Sequence, residues 1–486
     1  MRYAAPPAYS FANSYSRLCS EVVNDVHARL NATQVRAIVD VRSDEDAREA
    51  IAGASPNEPI CIAGGRHAMG GQQFAERGIL LDTRRFDRVL ELDVERGVVT
   101  VESGIQWPAL IRELGSLQRG NGSRWTIRQK QTGADRLSIG GALSANVHGR
   151  GLTMCPIVAD VDSFTLIDAN GVTRRCSRTE NAELFRLAIG GYGLFGFIAT
   201  VTLRLVQRRR LRRVVEIVTT DRLAEAFEQR IAAGYAYGDF QFAVDPRSSD
   251  FLRRGILSAY LPVSPRRRAR EGGLALTTGQ WRQLLFLAHV DKSRAYDLYA
   301  AHYLATSGQE YWSDEHQLSI YLDDYHADVD ARLTTHGYDA PGTEMITELF
   351  VPMERIETFL ETVRDDFRRH HVDVVYGTIR LVERDDESFL PWARRRSACV
   401  IFNIHTPHTP GGLAHSADAF RRLIDHAIAV DGSYYLTYHR YARWDQIVAC
   451  HPAMPAMLEK KLDYDPRERF QSEWYRSLLE SRARAG

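Results

Sequence analysis

The stretch ICIAGGRHAMGGQQF, from Ile60 to Phe74, carries two glycine pairs directly after a short apolar segment. The pairs are Gly64–Gly65 and Gly70–Gly71. Glycine adopts positive φ readily and lets the backbone approach a ligand closely, so consecutive N–H groups can point at phosphate oxygens. A glycine-rich turn between two strands is the alternative interpretation of this stretch taken alone. The pattern predicts an anion-binding loop if a second loop accompanies it.

A second loop of small residues follows at Leu137–Gly151, with the sequence LSIGGALSANVHGRG. It has scarcely a bulky side chain between Gly140 and Asn146, so another group must pack directly against its backbone. A Rossmann site would instead have one glycine-rich turn between a strand and a helix, with an acidic residue about twenty positions later. A third segment, AIGGYGLFGFIATVTLRL at Ala188–Leu205, is a glycine-punctuated turn that leads into a β-branched strand.

Together these segments resemble the FAD-binding domain of the vanillyl-alcohol oxidase/p-cresol methylhydroxylase (PCMH) superfamily. RHAMGGQ resembles the GHSxMGQ motif of cytokinin dehydrogenases and the TRHSF motif of alditol oxidases, and GGYGLFGFIATVTL resembles their GGLGxFGIIT segment. The closing segment Tyr434–Phe470, with its Y-D-P, is similar to that of the family. The family's V-x-V-x-x-G strand, followed by an aromatic residue and proline, is matched at Val99, Val101, Gly104, Trp107 and Pro108.

The resemblance implies an α+β fold with a two-part PCMH-type FAD-binding domain and a cap domain. The expected domains are residues 1–206 for FAD binding, 207–430 for the substrate-binding cap, and 431–486 for a segment that returns to the FAD domain. The arginine-rich run Gln207–Val215 marks the first boundary, and a strand–helix–strand–strand pattern then occurs twice. Two such units predict a large antiparallel sheet flanked by helices.

The implied cofactor is FAD, bonded covalently to His67 as in both named subfamilies. A hydrogen-bonded histidine in a polar loop is the alternative, and Ala68 stands where serine is usual. Members with two covalent bonds carry a cysteine in the second loop, where this chain has Ser144 and Ala145, so one bond is expected. His148 either contacts the flavin or its phosphates, or it structures the loop. The resemblance implies these FAD contacts: Gly64, Gly65, Arg66, His67, Ala68, Gly71, Gln72, Ser138, Gly140, Gly141, Ser144, Ala145, His148, Gly149, Gly196 and Ile198.

Charged residues on the predicted cap strands are candidates for the substrate site. Arg380 lies in YGTIRLVERDD, which resembles the E-x-R strand of alditol and aldonolactone oxidases, where the arginine faces the flavin. Thr378 replaces the glutamate of that pair, and Glu348 on another strand could supply the carboxylate. The resemblance places Tyr438 or His439 against the substrate hydroxyl, and histidine is the better base near neutral pH. Surface charges on a half-exposed sheet are the alternative for Arg380 and Glu348.

The implied reaction takes a hydride from a CH–OH carbon of a small polar alcohol, sugar or lactone, and molecular oxygen or another acceptor then reoxidises the flavin. Oxidation of a CH–NH group in an amine or cytokinin-like substrate is the alternative, which RHAMGGQ and YLTYH favour. Asp135 lies upstream of the second loop as the catalytic aspartate of cytokinin dehydrogenases does, but its spacing is two residues shorter. A non-catalytic flavin-binding protein is a third hypothesis, against which the retained linking histidine argues.

Composition argues against several other classes of protein. Lys and Arg total 62, as do Asp and Glu, so no basic field attracts nucleic acid or an anionic membrane. No apolar run is long enough to predict a membrane span. The six cysteines lack metal-ligand spacing, which argues for reduced thiols and against zinc. The N-terminus has no signal-peptide pattern, so we expect a cytoplasmic protein.

Overall fold

The computed structural model describes residues 20–120, 124–264, 273–319 and 325–486, without the side chains of 325–327. Cys19 and the rest of the N-terminal segment, in which we predict no signal peptide, lie outside the described residues. Helices and strands both contribute to the core of the described part, which confirms the α+β class. No described helix is long and apolar enough to cross a membrane.

The first glycine-rich loop follows a strand of a small parallel sheet. Its strands lie in the order β3, β5, β4, and helix α1 connects β3 to β4. A hairpin-like antiparallel pair, β1 and β2, precedes this sheet. The bounds are β1 Glu21–Val23, β2 Thr33–Val35, β3 Ala37–Asp40, α1 Asp44–Gly53, β4 Ile60–Ala63 and β5 Ile79–Asp82.

The next part of the chain forms a five-stranded antiparallel sheet in the order β10, β9, β11, β7, β6. The second small-residue loop includes the short helix α3, and a two-stranded pair of β8 and β12 lies at the transition to the cap. The bounds are β6 Val89–Asp93, β7 Val98–Glu102, α2 Trp107–Leu117, β8 Trp125–Thr126, α3 Ile139–Ser144, β9 Val161–Ile167, β10 Thr173–Ser177, α4 Ala182–Ala188, β11 Phe197–Arg204 and β12 Val206–Gln207.

The large antiparallel sheet predicted for the cap is present among the described residues, with eight strands in the order β16, β13, β15, β14, β18, β19, β17, β20. The repeated pattern corresponds to β13, α5, β14, β15 and then to β17, α9, β18, β19. The bounds are β13 Arg210–Thr219, α5 Leu223–Ala232, β14 Tyr237–Phe242, β15 Arg254–Val263, α6 Thr278–Val290, α7 Lys292–Ala305, β16 Glu310–Trp312, α8 Tyr325–Leu333, β17 Gly342–Pro352, α9 Ile356–Arg369, β18 Val374–Val382, β19 Ser397–Pro407, α10 Pro410–Ile428 and β20 Ser433–Tyr434.

Side chains of the central cap strands alternate between two buried environments. Phe402 of β19 packs against Phe367 of α9, with ring centroids 5.2 Å apart, and against Phe242 of β14 at 5.5 Å. The neighbouring residues Ile401 and Asn403 face the opposite side of the sheet, because successive strand residues alternate. One face is therefore an apolar core under the helices, and the other is free to line a site.

The two glycine-rich loops touch each other because their glycines have no side chains. A Cβ on Gly64 would overlap the side chain of Ser138, and one on Gly65 would overlap the carbonyl oxygen of Arg136. Residue Arg66 takes the left-handed conformation with φ of 58°, which turns the chain away from β4. The first loop is thereby held against the second along its whole glycine pair.

The C-terminal segment contacts both the first loop and the cap sheet. Gln72 donates a hydrogen bond to the carbonyl of Leu436 at 2.7 Å, and Ile60 N donates to the carbonyl of Arg469 at 2.6 Å. Strand β20 also pairs with β17 of the cap. The remaining helices are α11 Trp444–Cys450, α12 Met454–Tyr464 and α13 Glu473–Ala485. The division into domains at residues 206 and 431 stays a prediction.

Candidate active site

A cavity of about 940 Å³ lies between the glycine-rich loops and the eight-stranded sheet. Glu348 and Arg380 line its sheet wall, together with Tyr438 of the C-terminal segment. Its loop wall holds most of the residues predicted to contact FAD, namely Gly64, Gly65, Arg66, His67, Ala68, Gln72, Ser138, Gly140, Gly141, Ser144, Ala145, Gly196 and Ile198. The fold thus brings the cofactor candidates and three substrate candidates to one space.

Four of the predicted site residues are not among the described residues that line this cavity: Gly71, His148, Gly149 and His439. Gly71 has φ of 79°, and its carbonyl accepts a hydrogen bond from Trp474 N at 3.2 Å, so it shapes the turn behind the loop. His148 points away from the loop wall toward the cap, and Gly149 follows it. These residues support the walls of the cavity from behind.

His439 follows Tyr438 in the chain, but its side chain lies outside the cavity. Its ring stacks on Phe420, with centroids 4.4 Å apart, and its Nε2 lies 3.3 Å from Thr347 Oγ1. Burial, with the charge of Arg421, lowers the pKa of His439 to about 3. Our expectation that His439 faces the substrate does not agree with this position. The chain turns at residues 436–438, so the two neighbouring side chains leave it in different directions.

Asp135 is held in a buried ion pair rather than turned to the cavity. Its Oδ1 lies 2.6 Å from Nζ of Lys130, and its Oδ2 accepts a hydrogen bond from Ser319 N at 2.8 Å. Burial lowers the pKa of Lys130 to about 8, although Asp135 opposes this shift. The residue at the position that resembles the cytokinin dehydrogenase aspartate is therefore held by Lys130 and Ser319.

His67 lies in the loop wall beside a second histidine that the sequence did not suggest. Its Nδ1 lies 2.8 Å from Nε2 of His27, and its side chain is only 6% exposed. Burial, followed by the neighbouring His27, lowers the pKa of His67 to about 3. The ring is therefore neutral at physiological pH. A neutral imidazole has one ring nitrogen with a lone pair, which is the form that can bond to an electrophilic carbon.

The loop wall fits an anionic cofactor with a long diphosphate. Its glycine and alanine residues line the cavity, and so do three of the arginines from this part of the chain: Arg29, Arg66 and Arg136. Nε of Arg66 is buried and has no hydrogen-bond partner in the described part of the chain, whereas its Nη2 pairs with Asp82 at 3.0 Å. Buried donors of this kind call for an acceptor. The residues present therefore fit the FAD that the sequence implies.

Glu348 is the centre of a buried hydrogen-bond network. Its Oε1 accepts from the hydroxyl of Tyr438 at 3.0 Å and from Nε2 of Gln131 at 3.3 Å. Its Oε2 lies 3.0 Å from Nε2 of His148 and 3.6 Å from Sγ of Cys399. Burial alone would raise the pKa of Glu348, but His148 above all, with Tyr438, outweighs burial and holds the pKa below its ordinary value. Glu348 is therefore ionised at neutral pH.

Arg380 offers hydrogen-bond donors that no described residue accepts. It is 6% exposed, and its Nε and Nη1 are buried without a partner. It stands opposite Cys399 in the pairing of β18 with β19, and its charge lies near that of Glu348. Leaving such donors unsatisfied costs about 1–3 kcal/mol each, so the arrangement favours a ligand with oxygen acceptors at this point.

Sequence reasoning missed other polar residues of the sheet wall. Asp239 and Gln241 of β14 and Asn403 of β19 all line the cavity. A signal for the first two was available, because they alternate with phenylalanines inside a fully buried strand. Polar residues at alternate positions of such a strand indicate a face that is not ordinary core. In β19, Asn403 and His405 likewise alternate with apolar residues, so the same kind of signal was present there.

Comparison with known proteins supports FAD as the cofactor. A family model described as an FAD binding domain matches residues 35–177, which include both glycine-rich loops. This chain contains an FAD-binding domain of the PCMH type. The flavoprotein superfamily inferred from the loop motifs is thereby confirmed, and FAD is the cofactor whose phosphates the loop wall would hold.

Three relatives illustrate the range of proteins to which the chain is similar. The chain is 33% identical over 169 residues to an uncharacterized oxidoreductase of the fasciation locus of Rhodococcoides fascians, covering 35% of this chain and 37% of that one. It is 31% identical to L-gulonolactone oxidase of Bos taurus, over 34% and 36% of the two chains. It is 33% identical to mitochondrial L-galactono-1,4-lactone dehydrogenase of Arabidopsis thaliana, over 28% and 21%. Each match thus spans well under half of the relative's length.

Proposed function

We propose that this protein is an FAD-dependent oxidoreductase that oxidises a CH–OH carbon of a small polar alcohol, sugar or sugar lactone. The observation that carries the proposal is that one wall of the cavity holds an ionised, hydrogen-bonded Glu348 and an Arg380 with two buried nitrogens that lack partners among the described residues. Two of the relatives named above carry a sugar lactone in their names, which agrees with this substrate class.

Arg380 favours an oxygen-rich substrate over an amine. A hydroxyl or lactone carbonyl offers lone pairs to its two unpaired nitrogens, whereas a protonated amine offers none and carries the same charge. Asp239, Gln241 and Asn403 supply further hydrogen-bond partners for a substrate with several hydroxyls. Asp135, at the position that resembles the cytokinin dehydrogenase aspartate, is held in an ion pair with Lys130.

FAD supplies the chemistry of hydride acceptance when it is bound. The protein must then remove the hydroxyl proton, and Tyr438 with Glu348 is placed to do so. Burial, followed by the charge of Glu348, raises the pKa of Tyr438 well above 10, so the phenol stays protonated and acts as a relay. It takes the proton of the substrate hydroxyl while its own proton moves 3.0 Å to Oε1 of Glu348. Glu348 ends the step as a neutral acid.

We expect anaerobic addition of substrate to bleach the visible flavin absorption of the purified protein. The panel compares aldonolactones, aldoses and polyols with isoprenoid amines, each at equal concentration, and the first three classes should reduce the flavin fastest. Faster bleaching by an amine would overturn the proposed substrate class. If dithionite bleaches the flavin but no organic compound does, the non-catalytic hypothesis replaces the enzyme.

We further propose that one covalent bond joins FAD to His67. Acid precipitation should then leave the yellow colour in the protein pellet, and His67→Ala should move it to the supernatant. A neutral buried imidazole on the loop wall is the physical basis of this expectation. His451→Ala is the matched control, since burial also lowers the pKa of His451 to about 3 but its ring lies outside the cavity. Flavin wholly in the supernatant of the unmodified protein contradicts the covalent bond.

A further inference from the structure

A second cluster of buried polar residues lies near the N-terminal end of β17, away from Glu348. His289 of α6, Glu344 of β17 and His405 of β19 converge there, with side chains that are 0%, 8% and 4% exposed. Nε2 of His289 lies 3.1 Å from Oε1 of Glu344, and Nδ1 of His405 lies 3.8 Å from the same oxygen. One ligand atom from each residue lies within 4.8 Å of the other two.

The two histidines of this cluster lack hydrogen bonds. All four of their ring nitrogens are buried without a hydrogen-bond partner among the described residues. The 3.1 Å contact of His289 with Glu344 is close enough for an ion pair, but it is not among the hydrogen bonds, so the ring nitrogen is not aimed along an N–H bond at the oxygen. Burying two imidazoles in this way is costly unless another group satisfies them.

We propose that His289, Glu344 and His405 bind a zinc ion. Zinc with nitrogen and oxygen ligands at about 2.0–2.2 Å places tetrahedral ligand atoms about 3.3–3.6 Å apart, which the contacts of 3.1 and 3.8 Å bracket. Two imidazoles and one carboxylate are ligands that suit this ion, and each imidazole nitrogen on the metal would no longer lack a partner. Glu344 also lines the cavity, so a water molecule from that side can take the fourth position.

The zinc site stabilises the cap rather than taking part in the oxidation. Glu344 and Glu348 are four residue steps apart on the strand, a distance of about 13 Å, so the ion lies too far from Glu348 to touch the reacting carbon. It would tie helix α6 to two strands of the sheet. The sequence did not indicate this site, because its ligands come from three elements far apart in the chain and none of them is a cysteine. The proposal does not depend on the substrate class.

The test is the zinc content of the FAD-loaded protein after equilibration with zinc sulfate and removal of the unbound ion. We expect about one zinc ion per chain in the unmodified protein, and less than about a tenth of that in His289→Gln and His405→Gln. The flavin absorption per chain reports that each variant is folded. His370→Gln is the matched control, because this histidine of the same cap has a partly exposed side chain and contacts Asp366 rather than Glu344.

A plain ion pair between imidazolium and carboxylate is the competing explanation. It predicts no stoichiometric zinc in the unmodified protein, or equal zinc in the unmodified protein and both variants, and either result overturns the proposal. If a variant fails to retain flavin, cobalt substitution of the unmodified protein distinguishes a metal site from a plain ion pair. A visible ligand-field spectrum of four-coordinate cobalt supports the site, and its absence at saturating cobalt rejects it.

Discussion

Replacing Glu348 by glutamine is expected to slow anaerobic reduction of the flavin by substrate by a factor of about 10² to 10⁴. Glutamine keeps the size and part of the hydrogen bonding, but it cannot accept the proton that Tyr438 passes on. It also removes the negative charge that lies near Arg380. Stopped-flow measurement of flavin bleaching gives the rate. The flavin content per chain should stay unchanged, because Glu348 is on the sheet wall and the second loop reaches it through His148, which does not line the cavity.

Glu102→Gln is a matched control for this substitution. Glu102 is also a buried glutamate, but it pairs with Arg88 and lies outside the cavity, so its replacement should leave the rate of reduction within a factor of about two to three. A similar rate for Glu348→Gln would contradict the role of Glu348 and point to a different proton acceptor.

The pH dependence of the unmodified enzyme provides a further check on Glu348. Because the pKa of this carboxyl is held below its ordinary value of 4.5, the ionised form persists as the pH falls through 4.5. Its ionisation also stabilises the folded state above that pH, and this contribution is lost as the pH falls through the depressed pKa. The midpoint of any loss of the flavin-reduction rate that is due to protonation of Glu348 should therefore lie below pH 4.5.

Arg380→Ala is expected to slow flavin reduction by a factor of about 10² to 10³ and to lower the melting temperature less than the loss of a hydrogen-bonded buried arginine does. The substitution removes the donors that would hold the substrate oxygen, so the rate should fall. It also removes two buried nitrogens that lack partners in the described residues, so the folded state loses no hydrogen bond of either. Arg380→Lys should recover only part of the rate, because an ammonium cannot present the paired N–H groups of a guanidinium.

Arg364→Ala separates the loss of a buried arginine from the loss of the substrate contact. Arg364 is 4% exposed on α9, where its Nε donates to the carbonyl of Phe251 at 3.0 Å, outside the cavity. Its replacement should lower the melting temperature and leave the rate of flavin reduction nearly unchanged. If Arg380→Ala instead lowers the melting temperature and leaves the rate intact, then Arg380 is a structural residue.

The amino-acid sequence alone was enough to predict the glycine-rich loops, the α+β class and the large antiparallel sheet. Each depends on a local property of the chain. Glycine is required where a Cβ would overlap the neighbouring loop, as at Gly65, and strand residues alternate between two faces whatever packs on them. The family motifs around His67 have the same local character, which is why they identified the cofactor before any contact was known.

The partners of the charged residues could not be obtained in this way, because they come from distant parts of the chain. His148 and Glu348 are 200 residues apart, and their pairing follows from the docking of the second loop against the cap. The choice of Tyr438 over His439 rests on a turn whose direction is set by packing against Phe420. In the folded protein Asp135 also forms an ion pair with Lys130. His289, Glu344 and His405, which come from three separate elements, lie close together. A buried polar group is defined by the partners that reach it, and those partners are set by tertiary packing rather than by neighbours in the sequence.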